Sequence, residues 1–399
     1  MRLLPALLAL LAPAAVTAAE VLPVLRLDFY GGQFFFERQA PSISASGDWL
    51  FSPALRFSDG DLLIPSVSGS YRRSRDIHEY LGGGFITDET LNNTAALKWV
   101  HYLDEAYAVK PAFSYKNELV SETADEKLGN GLFDHHKISG GLEIERQGEF
   151  LRSMRHAFHA FGVRYYNFKA LTAGQFGTEV QSGENVLDFN SFDYTCAAQL
   201  VPWEKTTVNV TGTGSYREFL DQKIVTRAGT YSEANRKDLF AAFSAGVERL
   251  LPGLGSGWYS FEPSGGFTVG WDQLGSNQDH YDAPRLRYDA DFYDYKEVQV
   301  GLFLKALIGG KLTVSGQYDY TRRFYKTRAA RNTEGVEMAD RAFNNTHVFT
   351  YEFSRPIARG FSIKARGGYR VESSNDKYER TYRSNFHAAH YFLGAGWAY

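Results

Sequence analysis

The chain has 399 residues, 43 Lys and Arg against 46 Asp and Glu, a formal charge of −3 and one cysteine. That balance argues against nucleic-acid binding, and the lone Cys196 excludes a disulfide framework and any CxxC metal or haem site. Mean hydropathy is −0.34, and beyond the N-terminal segment no run approaches the roughly 20 apolar residues that a membrane helix needs.

In chain order, residues 1–19 (MRLLPALLALLAPAAVTAA) read as a secretory signal peptide. Arg2 is the positive n-region, Leu3 to Val16 are almost wholly apolar, and Thr17-Ala18-Ala19 offers small residues for cleavage. Residues 20–399 read as one domain. Sixteen segments of period-2 polarity follow, at 24–33, 48–57, 62–72, 94–103, 106–119, 135–146, 154–166, 188–201, 206–217, 237–250, 257–272, 292–307, 311–323, 343–353, 361–373 and 387–399. In the clearest, Phe361, Ile363, Ala365, Gly367, Tyr369 and Val371 alternate with Ser362, Lys364, Arg366, Gly368, Arg370 and Glu372. Side chains alternate across a strand, so this strand has one apolar and one charged face. In segment 188–201 the apolar face carries Cys196, an inert position.

The connectors alternate. Short ones fall at 58–61, 104–105, 147–153, 202–205, 251–256, 308–310 and 354–360. Long polar ones fall at 34–47, 73–93, 120–134, 167–187, 218–236, 273–291, 324–342 and 374–386. Tight turns at one end and long loops at the other predict an all-β fold, a transmembrane antiparallel up-and-down β-barrel with short periplasmic turns and long extracellular loops. Aromatics are 15% of residues, with 25 Tyr and 30 Phe, which suits interfacial girdles. Pro53, Pro65, Pro111 and Pro263 fall inside predicted strands on the apolar face. Proline cannot donate to the ladder, so bulges or strand ends near a rim are expected there.

The chain ends HYFLGAGWAY, with Tyr391, Leu393, Ala395, Trp397 and Tyr399 on one face and an aromatic last. This resembles the C-terminal targeting strand of Gram-negative outer-membrane β-barrels, the porin-like superfamily. The resemblance implies export to the outer membrane and contact with its lipid and lipopolysaccharide. It also implies insertion by the barrel-assembly machinery through those five residues, and allows a homo-oligomer or periplasmic export partners. The first strand follows the signal segment closely, which argues against an energy-coupled plugged transporter.

Sixteen strands enclose an aqueous channel. The expected inward charges are basic at Arg26, Arg56, Arg72, Lys110, Lys116, Arg164, Arg217, Lys305, Arg323, Lys364, Arg366 and Arg370. They are acidic at Asp28, Glu143, Glu145, Asp193, Glu262, Asp272, Glu297, Asp319, Glu352 and Glu372. Arg323, Lys364, Arg366, Arg370, Glu372, Asp319, Glu297, Lys305, Arg217 and Asp193 are the pore-lining candidates, with Lys364, Arg366 and Arg370 beside Arg323 as a basic ladder. Clustered charges would set selectivity; paired across strands, they would only hold the wall together. His156 and His159, like His387 and His390, lie three apart and must face opposite sides, so neither pair can chelate a metal. His135-His136 reads as a solvated rim. No Ser–His–acid order stands out, and neither an enzyme nor a cofactor is expected. The leading reading is passive diffusion of small hydrophilic solutes. The alternatives are export of a secreted polysaccharide, a sheath around a partner such as a multihaem electron conduit, and a surface receptor acting through its loops.

Overall fold

The computed structural model describes residues 20–37, 40–80, 83–121, 127–168, 185–257, 260–378 and 384–399. The signal-peptide expectation and most of loop 167–187 lie outside them. The barrel strands are β1 (Leu25–Phe36), β2 (Ser42–Phe51), β3 (Asp61–Tyr80), β4 (Gly83–Tyr102), β5 (Tyr107–Ser121), β6 (His135–Gln147), β7 (Leu151–Arg164) and β8 (Phe189–Trp203). They continue as β9 (Thr206–Val225), β10 (Tyr231–Leu250), β11 (Phe261–Ser276), β12 (Tyr295–Ile308), β13 (Leu312–Arg331), β14 (Glu337–Ala358), β15 (Phe361–Ser374) and β16 (Phe386–Ala398). Each pairs antiparallel with its sequence neighbours. β16 closes the ring on β1, with Gly32 opposite Phe392 and Asp28 opposite Gly396. The fold is a closed 16-stranded up-and-down β-barrel.

The prolines explain two extra short segments. Glu20–Leu22 pairs with Ala54–Arg56 as a continuation of β1 and β2. Leu22 pairs with Ala54 and Leu25 with Phe51, so Pro23 stands opposite Pro53. Phe51 pairs with Val67 and Leu55 with Leu63, so Pro53 in turn stands opposite Pro65. Three adjacent strands thus share one row where the ladder is interrupted. Pro111 stands in a gap between the pairs Lys98–Ala112 and His101–Val109, and Pro263 is near the start of β11. All four expected positions are strand ends or ladder gaps near the short-turn rim, because a residue without an N–H is tolerated only there.

Alternation sorts the wall into two faces. On β12, Val298, Val300, Leu302, Leu304, Ala306 and Ile308 point outward. At about 3.3 Å per residue on strands tilted about 40°, that run makes an apolar band about 25 Å tall. Outward Phe29, Leu302 and Leu393 are 61%, 53% and 69% exposed, while inward Asp28 is 1% exposed. Such a surface is stable in hydrocarbon and not in water, and it makes this a transmembrane barrel.

Four of the expected long loops are strand. β3 and β4 fill most of 73–93, β9 and β10 leave only 226–230, β13 and β14 leave 332–336, and β1 and β2 leave 37–41. Above the bilayer both faces of a hairpin meet water, so the apolar–polar alternation stops while the hydrogen-bond ladder continues. The turns are closed by Gly229 and Gly335 at φ 76° and 86°, a conformation that glycine alone adopts without strain. In contrast, the segments at 127–134, 165–168 and 185–188 fold onto the inner wall. Phe133, Tyr165, Phe168, Val186 and Leu187 form a small core with inward Val163, Phe189 and Phe219. Asp134, fully buried, accepts from the Val120 and Gly131 amides (2.7 and 3.0 Å) and from Asn167 (3.3 Å).

Candidate functional site on the inner wall

The register carries one parity around the barrel and places all ten pore-lining candidates on its inward face. Asp193 is opposite Ser215 and Arg217 opposite Ser191. Glu297 is opposite Arg323, Gly301 opposite Asp319, and Lys305 opposite Ser315. Glu352 is opposite Arg366 on β15, whose inward positions also include Lys364, Arg370 and Glu372.

Five of these ten charges are neutralised in ion pairs. Lys364 Nζ donates to Asp28 (2.5 Å), which also accepts from Arg26 (2.7 Å). Arg323 donates to Glu297 (2.8 Å), and Arg370 to Glu372 (2.9 Å). Near the short-turn end Glu143 gathers Lys110, Lys98 and Arg155 at 3.2, 3.4 and 3.7 Å, and Lys110 also binds Glu145. Asp193 accepts from Ser191 and Ser215 (2.8 and 2.6 Å). The intended basic ladder is therefore largely a set of wall-bracing ion pairs.

Arg366 differs. Among the described residues no carboxylate lies within ion-pair distance of it. Its guanidinium donates to Ser46 Oγ (2.7 Å) and stacks on Tyr30 and Phe392, 3.9 and 5.5 Å from the ring centroids. Ser46 belongs to β2, two strands beyond β16, and only the concave side of the wall allows that reach. Arg366 borders a cavity of about 360 Å³ shared with Arg72, Arg370, His390 and the rings of Phe34, Phe36, Phe386 and Phe392. Arg72 is fixed by Asp48 (2.5 Å) and the Gly47 carbonyl (3.1 Å). The chamber thus has guanidinium walls and a phenyl floor.

A second cavity of about 300 Å³ is bordered by Arg217, Arg236, Arg323, Tyr293, Tyr295 and Tyr325. Arg236 makes a bidentate pair with Asp238 (2.9 Å for both contacts). Arg217 lies 4.4 Å over the Phe189 ring, its Nε buried with no hydrogen-bond partner. Burial pushes the hydroxyl of Tyr293, in the connector before β12, up to about 12, so it stays a neutral donor.

Two expectations are corrected. Arg164 stands opposite His136 in the outward register and bonds the Val163 and Phe189 carbonyls (both 2.8 Å) and Asn190. The outward face of β7 mixes Met154, His156, Phe158, Ala160 and Gly162, so polarity gave no parity there. His135 is not a solvated rim residue, since it is covered by the inward loops and stacks on Tyr165 (4.9 Å). His136 stacks outward between Tyr115 and Tyr166 (6.1 and 5.9 Å). His156 faces out, bonded to Tyr194 Oη (2.8 Å), while His159 faces in opposite Asp193. The inward aromatics Phe34, Phe36, Phe386 and Phe392 were missed, although Phe392 alternates with the outward Tyr391 and Leu393. Inward Asp48, Lys98, Lys137, Arg155 and Asp238 were missed as well, because their strands alternate weakly. Tyr391, Leu393, Ala395 and Trp397 point outward on β16, and Tyr399 exchanges backbone bonds with Leu25 (2.8 and 2.9 Å).

No family model matches the chain, and no curated protein matches it in sequence. Several solved barrels are similar in structure. In-vitro folded OmpT, an outer membrane protein of Vibrio cholerae, is 11% identical, with TM-score 0.47, covering 97% of this chain and 99% of that one. A bacterial polysaccharide outer membrane secretin is 8% identical, with TM-score 0.47, covering 95% and 98%. OccD3 (OpdP) of Pseudomonas aeruginosa is 7% identical, with TM-score 0.47, covering 96% and 93%.

Proposed function

We propose that this chain, a transmembrane barrel of the Gram-negative outer-membrane architecture, is a passive channel for small hydrophilic solutes that favours anions. It would reach the outer membrane through a cleaved signal peptide and be inserted through its C-terminal strand, and it would perform no chemistry of its own. The Arg366 chamber carries the reading. An anion about 4 Å from an unneutralised guanidinium gains on the order of 4 kcal/mol at a protein-surface dielectric. Desolvation of the anion offsets much of that attraction, so the site can bias entry and still release, as conduction requires. The phenyl floor would accept the apolar body of an organic anion. The paired charges elsewhere contribute little net field.

The test is conductance of the refolded protein in a planar bilayer, with reversal potentials across a salt gradient. Wild type should conduct with anion preference, and Arg366→Gln should shift the reversal potential toward cation preference while the conductance persists. A silent wild-type barrel, or a reversal potential untouched by the substitution, would sink the reading. Polymer export is the second reading. The tyrosines and arginines of the second cavity suit a sugar chain, and loss of secreted polymer on deletion would favour it.

A further inference from the structure

On the outward face, cations along the long-loop rim are mostly neutralised. Arg73 pairs with Glu89 (3.4 Å), Lys237 with Glu218 (3.1 Å), and Lys326 with Asp291 and Asp294 (2.8 and 3.4 Å). Lys296 and Arg322 are different. Lys296 sits directly above the apolar ladder of β12, opposite Phe324, and Arg322 sits opposite Val298. The two are therefore diagonal neighbours on one face, within reach of a shared ligand. Among the described residues neither has a carboxylate within ion-pair distance. The Arg322 guanidinium is clamped between Phe324 and Phe343, 4.8 and 4.6 Å from the ring centroids. Its Nε is buried without a hydrogen-bond partner. Beside Arg322 stands outward Asn345, whose Oδ1 accepts from Tyr320 (3.1 Å), leaving its amide nitrogen as a further donor. Below it, His347 bonds Tyr318 (2.8 Å).

We infer that Lys296 and Arg322 form a binding site for a phosphate of lipid A, with the acyl chains lying down the Val298–Leu304 ladder. An uncompensated cation pair is costly at the bilayer edge unless an anion meets it. A planar guanidinium held by two rings is suited to bidentate phosphate recognition. The outer leaflet beside a long-loop rim carries phosphorylated lipid A, so charge, height and neighbouring apolar surface agree. The inference rests on the outer-membrane placement proposed above but not on conduction, and the two fail separately.

Purified wild-type barrel in detergent is titrated with diphosphoryl lipid A, a dephosphorylated lipid A and phosphatidylglycerol, and binding is read by native mass spectrometry. Folding is checked by the gel shift on heating. Wild type should prefer diphosphoryl lipid A over both other lipids. The Lys296→Gln/Arg322→Gln pair should lose about tenfold in affinity, the scale of one charge-assisted contact. Arg152→Gln, an outward cation near the short-turn end, should bind as wild type. Equal binding of phosphorylated and dephosphorylated lipid, phosphatidylglycerol binding as tightly as lipid A, or an unaffected folded double variant would each overturn the site.

Discussion

Arg366 shows how much depends on one neighbour. Its sequence setting, alternating with Ala365 and Gly367, is the same as that of Lys364 and Arg370. Only the fold brings Asp28 to Lys364 and leaves Arg366 on Ser46 and Tyr30. Another residue-level consequence concerns His280, in the connector between β11 and β12, stacked on Phe292 (4.4 Å). Burial lowers its pKa from the ordinary 6.5, outweighing the opposing pull of Asp289 and Asp282. The folded connector therefore prefers neutral histidine. Its stabilisation is complete above pH 6.5 and is lost as the pH falls toward the lowered value and below it. Hydrogen exchange across 280–292, corrected for intrinsic rates, should be faster at pH 5 than at pH 8, and His280→Phe should remove that difference. Equal corrected rates in wild type would show that burial there does not penalise the charge.

Strand identity was legible in the sequence wherever one face met lipid. All sixteen segments of period-2 polarity overlap the sixteen barrel strands, because hydrocarbon demands that every second residue be apolar. Strand ends were not legible. β3 runs to Tyr80 and β13 to Arg331, beyond the bilayer, where no solvent difference marks the two faces. The closing seam was also hidden. Gly32 faces Phe392 across the β1–β16 pair. A Cβ there would lie 2.0 Å from the Tyr391 carbonyl oxygen and 2.8 Å from the Phe392 Cα. Gly32→Ala should force the seam apart and cost about 1–3 kcal/mol, the usual range for overpacking. At Gly31 a Cβ would meet nothing within 4 Å, so Gly31→Ala should leave stability near wild type. Urea unfolding of the two variants in vesicles separates these outcomes, and equal midpoints would count against a tight seam.

For the whole barrel, parity decides which solvent each charge meets. Leu302→Arg places a cation on the outer band and should destabilise by about 2–4 kcal/mol if the residue lies near the bilayer midplane. Gln299→Arg, three residues away on the inner face beside Asp272 and Glu297, should cost far less. Unfolding midpoints in vesicles measure both, and equal costs would mean that the two faces are not lipid and lumen. The loops matter at the same level. The core of Phe133, Phe168, Val186, Phe189 and Phe219 lines the inner wall above β6 to β9. No local pattern announced it, since its members come from two connectors and three strands.

Alternation and loop asymmetry were enough to determine a membrane barrel of about sixteen strands and the inward parity of those strands that alternate cleanly, because each follows from a strand's own contact with lipid or lumen. Where alternation was weak, as at Arg164 and Asp48, the parity came only from the register. Which charge finds a partner was decided only by closure and register. That choice separates Arg366 from Lys364, and Arg322 from Arg73. It depends on residues up to 336 positions apart, as Lys364 and Asp28 are, and so on a distance that no local period encodes.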